Sequence, residues 1–203
     1  MRHMNETGFI AIEKAIIQRL TSGLDPRLTY HNLAHTLDVL DQALRIAVAE
    51  KITDPRQLML IRIAALFHDT GFLFVYKGHE ATSCEIMQEA VTGSSLTTGE
   101  IDQINGMIMA TKIPQSPTCL MEEIICDADL DYLGRDDFSL ISNNLKQEFL
   151  EYGVIKNELD WDPLQISFFE KHQYFTQSSK LIRAPKKSEH LAKLKEQQAR
   201  ISK

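Results

Sequence analysis

Proline placement constrains this chain more than any other feature of its sequence. Pro26, Pro55, Pro114, Pro117, Pro163 and Pro185 all fall between, or at the very start of, segments with helical apolar periodicity. Proline lacks a backbone N–H and clashes with the preceding turn, so a helix accepts it in its first turn and excludes it from its interior. No segment shows the alternation of a half-buried strand, and no internal repeat or low-complexity tract is present. The expected fold class is therefore all-α, a compact multi-helix bundle.

The periodicity predicts a first helix over about 8–21, with Ile10, Ile16, Ile17 and Leu20 near one face. A second runs from about Leu33 to Lys51 with a stripe of Leu37, Leu40, Ala43, Leu44 and Ala47. Asp54-Pro55 reads as an N-cap followed by proline in the first turn, opening a helix that carries Leu58, Leu60, Ile63, Ala64 and Phe67. A loop from Gly71 to Gly78 with an exposed-looking aromatic run (Phe72, Phe74, Tyr76) follows. Helices are then expected at about 79–92, 98–112 and 118–127, from Asp136 or Asp137 to about Tyr152, and from Asp162-Pro163 onward through Phe168, Phe169 and Tyr174. Residues 186–202 are helical in pattern but polar.

With 203 residues, 43% apolar and 25% charged, the chain has the balance of one soluble globular domain. We divide it into an N-terminal helix (1–27), a core (28–135), accessory helices of the same domain (136–185) and a basic tail (186–203). Net charge is -6, from 22 basic and 28 acidic residues. Residues 180–203 hold eight basic and two acidic residues, so the rest of the chain is markedly acidic. Nucleic acid is not an expected partner. Cys84, Cys119 and Cys126 lack the spacing of a disulfide framework or a thiolate zinc site, which fits a reducing interior. No run reaches transmembrane length, and residues 1–9 lack the apolar centre of a signal peptide. The expected location is cytoplasmic, without a membrane partner; His3 is assigned no role.

Ionisable residues collect at the ends of apolar segments. Tyr30-His31-Asn32-Leu33-Ala34-His35 sets two histidines on one helical face, one turn apart, which suits either an exposed amphipathic face or a ligand with a neighbour. His68-Asp69 follows the apolar run Ala64-Ala65-Leu66-Phe67. Burying such a pair costs several kcal/mol unless its charges are matched, and a divalent cation would match them. Asp127, Asp129 and Asp131 follow Ile124-Ile125-Cys126; cap and turn duty suits Asp127 and Asp131 at least as well, whereas Asp129 suits a metal.

In this order the residues resemble the HD-domain metal-dependent phosphohydrolases, whose pattern is a histidine, a histidine-aspartate pair after an apolar helix, and a distant aspartate in an alanine-aspartate step. His35, His68-Asp69 in Leu66-Phe67-His68-Asp69-Thr70-Gly71, and Ala128-Asp129 supply it across residues 28–135. The resemblance implies that His35, His68, Asp69 and Asp129 bind one divalent ion. Two imidazoles and two carboxylates suit manganese, iron, nickel, cobalt or zinc. It further implies hydrolysis of a small-molecule phosphate ester, such as a nucleotide or related metabolite, by water activated on the ion, with Asp69 or Asp129 orienting or deprotonating it. Tyr30-His31-Asn32 resembles the opening of the cyclic-nucleotide phosphodiesterases, which implies that His31 protonates the leaving oxygen. The second histidine of that branch is absent, so its specificity is not implied.

Thr70-Gly71-Phe72-Leu73 stands where the guanosine-tetraphosphate hydrolases carry a Glu-Asp pair. Ile104 to Pro114 holds no histidine, which speaks against a second protein-built metal site and against a di-iron oxygenase. Lys77-Gly78-His79-Glu80 resembles a step common in small bacterial members; Lys77 and His79 could grip phosphate, or the segment could simply start a helix. Lys112 with Thr111 is a weaker phosphate candidate, and His172 lies on an aromatic helix suited to core packing. Besides hydrolysis, two other functions are compatible with the residues: a metal-braced nucleotide-sensing module and, less well, an iron-dependent oxygenase. The sequence sets no oligomeric state.

Overall fold

The computed structural model of the chain describes residues 6–201; residues 1–5, which include His3, and 202–203 lie outside the described residues. Among the described residues the regular structure is wholly helical. In order it comprises α1 (Glu6–Gly23), α2 (Leu33–Ala49), α3 (Pro55–Phe67), α4 (His79–Ala90), α5 (Thr98–Ala110), α6 (Leu120–Asp129), α7 (Phe138–Glu151), α8 (Trp161–Lys171), α9 (Gln177–Ile182) and α10 (Ala184–Ile201). Short 3₁₀ turns occupy Thr70–Leu73, Asp131–Gly134 and Glu158–Asp160. No helix among the described residues is long and apolar enough to cross a membrane.

The helix starts follow from side chains that satisfy otherwise orphaned N–H groups. Asn32 accepts from the N–H groups of Ala34 and His35 at 2.9 and 3.3 Å, so the residue that opens α2 also sets the backbone of His35. Asp54 accepts from Arg56 N–H with Pro55 in the first turn of α3, and Thr97 and Glu100 form a reciprocal capping box at α5.

α3 is apolar nearly all round, and such a helix belongs inside a protein. It packs against α1, α2, α4, α5 and α6, with Leu60, Ile61, Ile63, Leu66 and Phe67 buried. Burial of these five side chains contributes on the order of 10 kcal/mol. That exceeds the several kcal/mol that a buried but matched ion costs, so α3 can end in an ionisable pair at the centre of the molecule. A second apolar cluster joins Tyr30, Leu130, Tyr132, Leu133, Phe138 and Phe169, with Leu191 and Leu194 of α10 packed on it. The cavity described below lies along its edge.

Several local expectations shift. Phe9 is the fully buried anchor of α1 while Ile10 is exposed, and α2 is rotated so that Val39, Ala43, Ile46 and Ala47 face inward and Leu37 faces out. The rotation places His35 inward as well. Phe72 is buried, unlike Phe74, with its ring stacked on the imidazoles of His31 and His79. α8 ends at Lys171, before Tyr174, and α9 appears where no helix was expected, capped by Thr176. α10, polar in pattern, is nonetheless docked: His190 is buried, stacks on Phe138 and hydrogen-bonds the Arg135 carbonyl at 2.8 Å.

Candidate metal centre

The end of α3 is shaped by the residues that follow it. His68 Nδ1 lies 2.8 Å from the Ala65 carbonyl and Thr70 Oγ1 donates to the Phe67 carbonyl at 2.8 Å, so two last-turn carbonyls are satisfied locally. A carbonyl only accepts, so His68 carries its proton on Nδ1 and presents a lone pair at Nε2. Helix α2 brings His35 alongside. The two Nε2 atoms are 3.3 Å apart.

Two carboxylates complete the group. Asp69 Oδ2 lies 3.3 Å from His35 Nε2 and 3.2 Å from His68 Nε2, and Asp129 Oδ1 lies 3.2 and 3.7 Å from the same atoms. One donor atom from each of His35, His68 and Asp129 falls within 4.8 Å of the others, so this group can hold a metal ion. Asp69 Oδ2 is buried without a hydrogen-bond partner. A buried carboxylate oxygen left in this state, facing two imidazole nitrogens, calls for a cation among them. The mixed nitrogen and oxygen set fits a divalent transition metal, and His68 has the second hydrogen bond typical of a ligating imidazole.

Without an ion, protons take its place. Burial opposes charge on both histidines, but Asp129 and Asp69 outweigh it, raising His35 to about 10 and His68 above its ordinary value. Burial likewise works against the Asp69 carboxylate, yet His68 and His35 hold its pKa well below the usual range. Metal therefore competes with protons here, and its binding releases them.

Gly71 brings the next histidine in. Its N–H donates to Ser83 Oγ at 2.8 Å, and a Cβ at this position would meet the His79 carbonyl oxygen at 2.0 Å. That close approach lets the 3₁₀ turn abut the start of α4, whose first residue follows Gly78 at φ 73°. His79 Nε2 consequently reaches Asp69 Oδ1 at 3.2 Å. Phe72 stacks on both His79 and His31, at 3.9 and 4.3 Å, and the two imidazole centroids lie 6.2 Å apart.

His31 has a partner that sequence reasoning missed. Glu148 of α7, fully buried, accepts from the Tyr30 and His31 N–H groups at 2.9 Å each, from the Tyr76 hydroxyl at 3.1 Å, and pairs closely with His31 Nδ1. Burial raises a carboxyl pKa, but the His31 hydrogen bond and charge, with the two N–H donors, hold Glu148 below the ordinary value. The sequence held a signal for it. Phe138, Ile141, Leu145 and Glu148 share one stripe of α7, and an acid on an apolar stripe must find a partner.

A cavity of about 330 Å³ opens beside the metal group, lined by His31, Asp69, His79, Glu80 and Asp129 together with side chains of α7 and α8. Lys77 and Lys112 are exposed and do not line it; Thr111 does. Asp127 and Asp131 serve the scaffold. Asp127 accepts from Phe175 and Thr176 N–H groups at 2.8 Å, and Asp131 pairs with Arg183 at 2.8 Å. His172 packs between Phe168 and Tyr174 rather than in the cavity lining.

Fold and site thus define an all-helical protein in which His35, His68 and Asp129 could hold a metal ion, with Asp69 beside both imidazoles, next to a cavity. No family model, curated protein or solved structure matches the chain.

Proposed function

We propose that this protein is a metal-dependent phosphohydrolase of the HD-domain type, acting on a small phosphate ester such as a nucleotide or related metabolite. The observation that carries the reading is one juxtaposition: His35, His68, Asp69 and Asp129 meet at a point, and His31, buttressed by Glu148, lines the same cavity. The imidazole centroids of His31 and His35 are 5.9 Å apart.

A divalent ion held by His35, His68, Asp69 and Asp129 would supply Lewis acidity, making water a competent nucleophile near neutral pH and offsetting charge on a phosphoryl oxygen. The protein's own groups do the rest. Asp69 accepts a proton from the attacking water or orients it, while its outer oxygen is held by His79. Glu148 binds Nδ1 of His31 and so fixes the ring with Nε2 available. As water's oxygen bonds to phosphorus and the bond to the leaving oxygen breaks, His31 Nε2 delivers its proton to that oxygen. The hydrolysis then balances as ester plus water giving acid plus alcohol.

The test is direct. Protein purified without added metal or chelator is expected to contain close to one equivalent of a transition metal by elemental analysis, and to release phosphate or alcohol from a panel of mono- and diesters. His68→Ala and Asp69→Ala are expected to lose both metal and turnover. Full turnover in either variant after verified metal loss overturns the proposal. A silent panel combined with a nucleotide that raises the melting temperature would favour the sensing module instead.

A further inference from the structure

The cavity beside the metal group has two unlike halves. One presents His31, Asp69, His79, Glu80 and Asp129; the other is a wall of Leu145, Phe149, Trp161, Leu164, Phe168 and Phe169 from α7 and α8. No lysine or arginine belongs to the lining among the described residues. Two further polar groups of the lining are already committed: Thr111 Oγ1 donates to the Ile108 carbonyl, and Gln165 donates an amide N–H to Ser142.

This composition bears on the charge a ligand can bring. Three carboxylates, Asp69, Glu80 and Asp129, face the cavity. A divalent ion offsets two of them, and the lining imidazoles are already paired, His79 with Asp69 and His31 with Glu148. Low-dielectric aromatic walls strengthen every remaining repulsion, and a second or third phosphate group would find no guanidinium or ammonium to pair with. The same walls favour burial of an apolar ring, since the aromatic side chains offer stacking and edge contacts.

We infer that this site takes an ester carrying a single negative charge and an apolar, ring-sized group, in preference to a nucleoside di- or triphosphate. The charged head lies against His31 and the metal group, an orientation that rests on the hydrolytic reading above. The ring lies along Phe149, Trp161 and Phe168. Cavity volume agrees with one ring and one head group, because 330 Å³ is at the small end of ligand sites, which span roughly 300–1,000 Å³.

Calorimetric titration of the manganese-loaded full chain, with metal in excess, tests this without turnover. The probes are methyl phenylphosphonate, a singly charged ester with a ring; methyl methylphosphonate, its ringless counterpart; phenylphosphonate as the dianion; and a methylene-bridged adenosine triphosphate analogue. The singly charged phenyl probe is expected to bind roughly ten-fold or more tightly than each of the others. Phe168→Ala should erase most of the advantage over the methyl probe, and Leu164→Lys, at the half-open rim, should strengthen binding of the triphosphate analogue. Tighter or equal binding of the triphosphate analogue, no gain from the phenyl ring, or no binding of any probe overturns the inference. Tight phenyl-probe binding without hydrolysis of methyl phenyl phosphate would overturn the hydrolytic reading and leave this one standing. Rapid nucleotide hydrolysis with tight triphosphate binding would do the reverse.

Discussion

Glu148 shows how one buried carboxylate can connect the backbone of a loop to the chemistry of a ring. It accepts two N–H groups of the Tyr30-His31 step, the Tyr76 hydroxyl and the His31 imidazole, so it fixes both where His31 sits and which nitrogen is spent. Replacement by glutamine keeps the shape and removes the carboxylate that pairs with the ring's Nδ1. Glu148→Gln is expected to lower kcat by roughly 10- to 100-fold while metal content and KM stay near wild type, as for groups that orient a reacting imidazole. His31→Gln, which removes the proposed proton donor itself, is expected to cost roughly 10²–10⁴-fold in kcat. Steady-state kinetics paired with elemental analysis separates the two effects from metal loss. A Glu148→Gln enzyme with wild-type kcat would show that the pairing is only structural. At this scale the sequence was legible for the candidate metal-binding residues and only partly for their support. His68, Asp69 and Asp129 could be picked out because ionisable groups at the ends of apolar runs need matching, and His35 only through the resemblance in motif order; the acid on the apolar stripe of α7 called for a partner, but its link to His31 spans 117 residues and leaves no local pattern that names it.

Elements were legible where the chain caps them and ambiguous where only an apolar stripe spoke. Asp54-Pro55 and Thr97 with Glu100 mark the starts of α3 and α5 by hydrogen-bonding chemistry that is local and therefore readable. The inward face of α2 was not, because Leu37, Leu40 and Leu44 form as good a stripe as Val39, Ala43 and Ile46; the choice is made by α3 and α6, which pack on it. Helix α9 was missed because six residues carry too little periodicity to register. Gly71 belongs to this scale too, since it is a contact between elements rather than a turn conformation that demands glycine. Gly71→Ala would drive a methyl group into the His79 carbonyl, which is backbone and cannot swing away. The expected cost is about 1–3 kcal/mol of folding stability, with α4 pushed away from the metal group and metal affinity reduced. Chemical denaturation and metal titration of the variant measure these separately. A variant with unchanged stability and unchanged metal affinity would mean that the approach of the turn to α4 is not what seats His79.

The whole molecule joins a helical core that ends in charge to a second apolar cluster that walls the cavity, and His172 reports on how tightly the second part is closed. Its fold class was legible from proline placement and absent alternation, but the wall was not, because α7 and α8 approach the metal group only through tertiary packing. His172 stacks on Phe168, which lines the cavity, and both ring nitrogens are buried without hydrogen-bond partners. Burial, helped by the nearby Lys187 ammonium, lowers its pKa to about 3 from an ordinary value of 6.5. Above pH 6.5 the ring is neutral in folded and unfolded chains alike, and it adds no pH dependence. Below that value the unfolded chain binds a proton that the folded chain refuses until about pH 3, so stability falls with acid. For a single group the slope approaches about 1.4 kcal/mol per pH unit. His35, His68 and His79 do not obscure this, because their raised values act in the opposite direction with pH and are common to wild type and variant. His172→Phe keeps an aromatic ring in the stack and removes the titration. Urea unfolding of the metal-free proteins is therefore expected to show the variant gaining stability relative to wild type as pH falls from 6.5 toward 5, reaching a difference of about 2 kcal/mol. Parallel stability curves over that window would place His172 in contact with water, and with it would go the closed packing of α8 behind the cavity wall.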